Sequence, residues 1–269
     1  MRNKLSEEQI NQLRTSFDII GDIAIIEVPE ELESKKNDIV EALLKVHPRL
    51  KTICRKLSAR QGKLRLRDME ILYGNNTETI HVEYGFRLHL DVRKVYFSPR
   101  ESTERQRIAG MVKPGEIVLV MFAGIGPYAI AIAKRQPNVE KVYAIEVNPD
   151  AYRYMEENIR INKLSHKIVP IFGDVKEKCK ELAIKFDRIV MPLPKEGYKF
   201  LDIAIMCLKP GGILHFYFCD SEKNLFEKAV SILRESAYKS GRKIRVLSKR
   251  KVLPYGPRVW KICVDAKIE

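Results

Sequence analysis

From about residue 102 onward, short apolar runs alternate with longer segments whose apolar positions recur every three or four residues. The runs at 117–121 (IVLVM), 141–146, 168–172, 188–191 and 213–218 show little polar alternation, whereas 103–111, 128–134, 151–162, 176–184 and 200–208 read as helices. A strand without alternation is covered on both faces, so the pattern predicts a parallel sheet with helices on either side. The helix at 200–208 stops at Lys209-Pro210-Gly211-Gly212. Beyond it, 243–249 and 259–267 flank Pro254-Tyr255-Gly256-Pro257 and predict a closing antiparallel pair.

The first hundred residues have a different texture. A β-branched run at 22–28 predicts a strand and 38–45 a helix. Alternation at 80–92 predicts one half-buried strand, entered from the turn Gly74-Asn75-Asn76. The expected organisation is a small α+β domain at 1–101 and an α/β, Rossmann-like domain at 102–269, and 269 residues suffice for both to bury a core. The N-terminal stretch is polar and helical in pattern, unlike a signal peptide. The longest uncharged run, 117–133, holds Gly124, Gly126 and Pro127, which suits a strand, turn and helix rather than a membrane span. A soluble cytoplasmic protein is expected.

Charge narrows the class. Lys and Arg number 49 against 35 Asp and Glu, a net charge of +14. Residues 45–67 carry nine basic side chains, and residues 237–261 carry as many, with no acid in either block. Such fields attract polyanions, because each neutralised phosphate releases condensed counterions. Arg55, Lys56, Arg60, Lys63, Arg100, Arg105, Lys195, Lys249, Arg250 and Lys251 are the candidate RNA contacts, although a solvated lysine serves equally well at Lys195. The five cysteines are scattered without metal-ligand spacing, which predicts free thiols and no metal site.

Candidate chemistry gathers where the apolar strands end. Phe122-Ala123-Gly124-Ile125-Gly126-Pro127 joins a strand to a helix, and its glycines permit a sharp turn close to a ligand. The next strand ends in Glu146, placed to accept both hydroxyls of a ribose, and the third leads to Gly173-Asp174-Val175, suited to an adenine amino group. Three ligand-facing strand ends in order predict an adenosine-containing cofactor. Ala129 stands where a dinucleotide fingerprint has its third glycine, so spacing alone does not separate NAD from S-adenosylmethionine.

These segments resemble the sequential motifs of class I methyltransferases. With VYFSPRESTERQRIA at 95–109, they are similar to the archaeal and eukaryotic tRNA guanosine-37 methyltransferase family over almost the whole chain. The resemblance implies a Rossmann-like class I methyltransferase domain behind a smaller RNA-facing domain. It further implies S-adenosylmethionine as cofactor and the purine at tRNA position 37, in the anticodon region, as target. Cofactor contacts fall on Tyr96, Phe122, Ala123, Gly124, Gly126, Glu146, Asp174 and Val175. The family's general base matches Glu104, and the arginine that steadies the guanine matches Arg65 or Arg67. A carboxylate takes the purine proton and an arginine stabilises the charge that develops on the ring. Read without the resemblance, Glu104 simply pairs with Arg100 or Arg107 on one helix face.

Three departures refine the expectation. Val120 stands where many relatives carry an acid. Pro192 replaces the usual Asn of the guanine-N1 enzymes and has neither an N–H nor a side-chain amide. A branch of archaeal relatives shares this proline and extends its activity to carbon 7 of 4-demethylwyosine, a wyosine intermediate. About 18 residues precede Ile19, where longer relatives carry a tRNA-docking domain. The expected protein is a monomeric tRNA methyltransferase of wyosine biosynthesis, acting on carbon 7 of 4-demethylwyosine and/or N1 of guanosine. An aminocarboxypropyl transferase on the same position is the nearest rival, against which Arg100 speaks, because such relatives tend to lose that arginine. A non-catalytic RNA-binding protein is the rival from another class.

Overall fold

In the computed structural model, residues 6–12, 16–58, 62, 64 and 66–269 are described. The chain forms two compact units, Met1–Pro99 and Arg100–Glu269.

The first unit contains α1 (Glu7–Gln12), β1 (Asp18–Ile20), β2 (Ile23–Ile26), α2 (Lys36–Val46), β3 (Thr52–Lys56) and β4 (Met69–Tyr73), followed by β5 (Glu78–Glu83) and β6 (Phe86–Asp91). Strands β1 to β4 form one sheet in sequence order, in which β2 and β3 run parallel. All four residues of β2 are buried, as its unbroken apolar run requires. Ile39 and Val40 of α2 pack with Leu32 against Ala24, Ile26 and Ile53.

The single strand expected at 80–92 is instead a hairpin, β5 pairing antiparallel with β6. Its turn is Tyr84-Gly85, both left-handed with φ of 44° and 80°. Thr79 ties this hairpin to the sheet by donating its hydroxyl to Asp22 Oδ1 at 2.6 Å. Strand β3 lies inside the first basic block and was not predicted. Its Thr52, Ile53 and Cys54 are buried while Arg55 and Lys56 stand half out.

The second unit runs α3 (Ser102–Met111), β7 (Ile117–Met121), α4 (Pro127–Arg135), β8 (Lys141–Glu146), α5 (Pro149–Ile161), β9 (Ile168–Phe172), α6 (Val175–Leu182), β10 (Phe186–Met191), α7 (Leu201–Cys207), β11 (Leu208–Ser221), α8 (Glu227–Lys239), β12 (Ile244–Gly256) and β13 (Val259–Ile268). Its seven strands are ordered β12-β13-β11-β10-β7-β8-β9. Strands β9, β8, β7, β10 and β11 pair in parallel, and β13 runs antiparallel to both β11 and β12. The chain moves outward from β7 through β8 to β9, then returns to place β10 on the other side of β7. That reversal opens a crevice at the carboxyl ends of β7 and β10, where open α/β sheets hold their ligands.

Two helices begin at a side-chain cap. Asn148 accepts the N–H of Asp150 at 3.0 Å ahead of α5, and Asp174 accepts that of Lys176 at 2.9 Å ahead of α6. Pro127 opens α4 and Pro149 opens α5, at the position where a missing N–H costs nothing. Arg242 donates to the carbonyls of Ile205, Leu208, Lys209 and Ile268 at 2.8–3.0 Å, so the second basic block is partly structural. Among the described residues no helix is long and apolar enough to cross a membrane.

Candidate cofactor and base site

The loop after β7 is held in a conformation that side chains disfavour. Phe122, Gly124 and Gly126 all have positive φ, at 55°, 57° and 86°. A non-glycine residue there costs about 1 kcal/mol, and such strain collects where a ligand is gripped. The Phe122 ring lies edge-on to Phe200 with centroids 4.9 Å apart. A Cβ on Gly126 would sit 3.0 Å from Cγ of Met155. From α5, the buried amide of Asn158 donates to the carbonyl of Ile125 at 3.1 Å and fixes the loop from beneath.

Glu146, at the end of β8, faces this loop. Its Oε2 accepts the Gly124 N–H at 2.7 Å, and its Oε1 accepts those of Val147 at 2.9 Å and Asn148 at 2.7 Å. Burial pushes the carboxyl above the usual range, and the three N–H bonds partly offset that rise. A buried carboxylate beside a glycine loop is matched to a neutral diol, whose hydroxyls donate without adding charge. Asp174 and Val175 follow β9, where Phe172 is half exposed against Tyr152 at 5.4 Å. Ala123 and Val175 are buried, so their contribution is backbone and shape. Strained loop, diol acceptor and aromatic-flanked third strand end together fit the adenosine moiety of S-adenosylmethionine.

Glu104 is 4% exposed on α3 and lies in a buried polar network. Arg107 donates to both of its oxygens, Nε to Oε2 at 2.8 Å and Nη2 to Oε1 at 2.7 Å. Tyr217 of β11 donates its hydroxyl to Oε1 at 2.6 Å, and Arg250 of β12 stands 3.6 Å from Oε2. Arg107 reaches on to Asp265 Oδ2 at 2.6 Å, and Asp265 Oδ1 meets His215 Nδ1 at 2.6 Å. Arg188 closes the chain, 2.7 Å from His215 Nε2 and paired with Glu116 through two hydrogen bonds. Pairing of Glu104 with Arg107 is thus observed. His215, Cys263 and Asp265 present atoms within 4.8 Å of one another, but Arg107 and Arg188 lie against them, so a metal ion would meet two cations.

The remaining candidates divide. Arg67 and Tyr96 line a pocket in the first unit together with Asp18, Lys56, Leu66 and Phe97. Arg60, Lys63 and Arg65 lie outside the described residues. Arg55 is gripped by Glu33 and Glu70, and Lys56 reaches Glu27 at 2.8 Å, so the first basic block offers RNA less free charge than its sequence implies. Arg105 is a correction. It is 2% exposed, and a buried guanidinium presents nothing to phosphate. Arg100 is exposed at the start of the second unit, and Pro192 is half-buried directly after β10. Lys195 sits over the Tyr255 ring at 5.3 Å and Lys251 over Trp260 at 4.5 Å, while Lys249 and Arg250 are exposed beside them on β12. Asn158, Tyr217, Asp265 and His215 had no local motif to announce them.

Comparison with known proteins matches residues 79–247 to the TRM5/TYW2 methyltransferase domain and residues 1–77 to the TYW2 N-terminal domain. The tRNA (guanine(37)-N(1))-methyltransferase Trm5b of Pyrococcus abyssi is 46% identical over 257 residues, covering 95% of this chain and 76% of the relative. A tRNA(Phe) (4-demethylwyosine(37)-C(7)) aminocarboxypropyltransferase of Methanocaldococcus jannaschii is 38% identical, covering 93% of this chain and 96% of the relative. A solved complex of aTrm5 and tRNALeu aligns with a TM-score of 0.86 at 37% identity, over 99% of this chain and 76% of that one. M. jannaschii TYW2 in complex with AdoMet aligns with a TM-score of 0.73 at 34% identity, over 94% of this chain and 99% of that one.

Proposed function

Because the chain belongs to the TRM5/TYW2 methyltransferase family, we propose that it methylates the purine at position 37 of tRNA. Its cofactor is S-adenosylmethionine, and its substrate is carbon 7 of 4-demethylwyosine, with N1 of guanosine as a second acceptor. The acting unit is a cytoplasmic monomer. One observation carries the reading: the glycine loop, Glu146 and Pro192 end neighbouring parallel strands at the point where strand order reverses. Pro192 supplies no amide to a purine edge there, which favours the tricyclic base over guanine.

When bound, the cofactor supplies a methyl group already activated on a sulfonium. Glu146 and the loop amides orient it, and the carboxylate of Glu104 receives the proton that the purine gives up as the new bond to methyl forms. Arg67, with Tyr96 in the same pocket, is proposed to steady the purine, while Lys249, Arg250 and Lys195 are proposed to meet tRNA phosphates.

Nucleoside mass spectrometry after incubation with methyl-labelled S-adenosylmethionine and two tRNAs tests this. One tRNA carries guanosine at position 37 and the other 4-demethylwyosine. Label on the tricyclic base is expected, with weaker label on guanosine. An aminocarboxypropyl adduct would move the protein to the other activity of its relatives, and label on neither base would refute the reading.

A further inference from the structure

Tyr217 is fully buried on β11, yet its hydroxyl is satisfied on both sides. It receives the Tyr128 hydroxyl at 3.2 Å and donates to Glu104 Oε1 at 2.6 Å. Burial, with Cys263, Tyr128 and Glu104 nearby, holds this phenol well above its ordinary pKa, so it remains a donor. Its ring is fixed as well. Lys261 places its ammonium over the face at 4.9 Å, and the same ammonium forms a buried 2.6 Å pair with Glu101, one turn before Glu104. The segment that carries Glu104 is therefore fastened to β11 and β13 at two successive turns.

The two oxygens of Glu104 are not equivalent. Oε1 already accepts from Tyr217 and from Arg107 Nη2, which uses both of its in-plane lone pairs. Among the described residues Oε2 accepts only Arg107 Nε within hydrogen-bond distance, and the half-exposed Arg250 stands off at 3.6 Å. We propose that Tyr217 is the positioning residue of the methyl transfer: by saturating Oε1 and fixing the carboxylate plane, it leaves Oε2 as the atom that takes the purine proton. This rests on the reading of Glu104 as base. In that step the purine nucleophile bonds to methyl as the carbon–sulfur bond breaks, the sulfur departs as a neutral thioether, and the displaced proton ends on Oε2. Among the described residues the carboxylate is faced by Arg107 on α3, Tyr217 with Tyr128 behind it, Arg250 on β12 and Cys263 on β13.

The test is single-turnover methyl transfer by the full chain carrying Tyr217→Phe, in the wild-type and in the Glu104→Gln background. Phe keeps the ring and its cation contact and removes only the hydroxyl. Transfer in Tyr217→Phe should slow about tenfold, the scale of one charged hydrogen bond. KM for tRNA and for S-adenosylmethionine should stay within about twofold, because neither is touched. In the Glu104→Gln background the second change should be silent. Equal slowing in both backgrounds, or a wild-type rate in Tyr217→Phe, overturns the proposal. A Glu104→Gln protein at full rate overturns the base reading itself and the inference with it.

Discussion

Arg188 points a guanidinium N–H at Nε2 of His215 across 2.7 Å. A guanidinium has no lone pair to offer, so this ring nitrogen must accept, and the imidazole is neutral with its proton on Nδ1 facing Asp265. Burial, joined by Arg188 and Arg107, holds His215 below its ordinary value against the pull of Asp265. Burial alone would raise Asp265, but hydrogen bonds from His215, Arg107 and Ser248 outweigh it and hold that carboxyl far below the usual range.

Stability should accordingly fall on acidification in two windows. Below about pH 6.5 the unfolded chain protonates this histidine while the folded chain refuses the proton. Below about pH 4 the unfolded chain also protonates Asp265. Denaturant unfolding should lose up to about 1.4 kcal/mol per pH unit in the first window, the limit for one proton. His215→Gln should flatten that slope; an unchanged slope would show that the proton is taken up elsewhere.

Gly126→Ala should fold less stably and bind cofactor worse. The added Cβ meets Met155 Cγ at 3.0 Å on a residue with φ of 86°. Roughly 1–2 kcal/mol of stability should be lost, read as a lower Tm. S-adenosylmethionine affinity by calorimetry should drop about tenfold or more. Unaltered affinity would mean that the loop does not approach the ligand.

Glu146→Gln preserves shape but replaces an anionic acceptor with an amide. Loss of charge-assisted bonds to a ribose diol should weaken S-adenosylmethionine by about 10- to 100-fold. Wild-type affinity in this variant would place the ribose elsewhere.

Lys249 and Lys251 sit on the exposed strand β12. Replacing either with Ala should make tRNA binding less salt-dependent, reducing the slope of log K against log salt by about 0.7–0.9 for each phosphate contact removed. A merely solvated strand would leave the slope untouched.

Strands β7, β8 and β9 fall on the residues that the apolar runs predicted; β7 is buried almost throughout, whereas β9 at the sheet edge shows the same run with only Ile168 fully buried. The hairpin β5–β6 was hidden, since Tyr84-Gly85 lets alternation continue across the turn without the usual polar pair. Strand β3 was obscured by Arg55 and Lys56, whose charges are answered by Glu33, Glu70 and Glu27 from distant stretches of chain. Helix α8, at Glu227–Lys239, was not predicted either. Glycine loop, Glu146 and Asp174 were legible because each lies at the end of its own strand. The surroundings of Glu104 were not, because Tyr217 is 113 residues away and Asp265 meets the neighbouring Arg107 across 158.

Strand β12 is synthesised before β13, yet it joins the sheet only through β13. The two strands form a hairpin, and the basic strand reaches the rest of the sheet only when β13 pairs with β11. Docking of that hairpin on β11 joins residues about forty or more positions apart, a long-range step of the kind that slows folding. Until then Arg250 cannot stand near Glu104, so the exposed basic strand and the buried network around Glu104 are completed together.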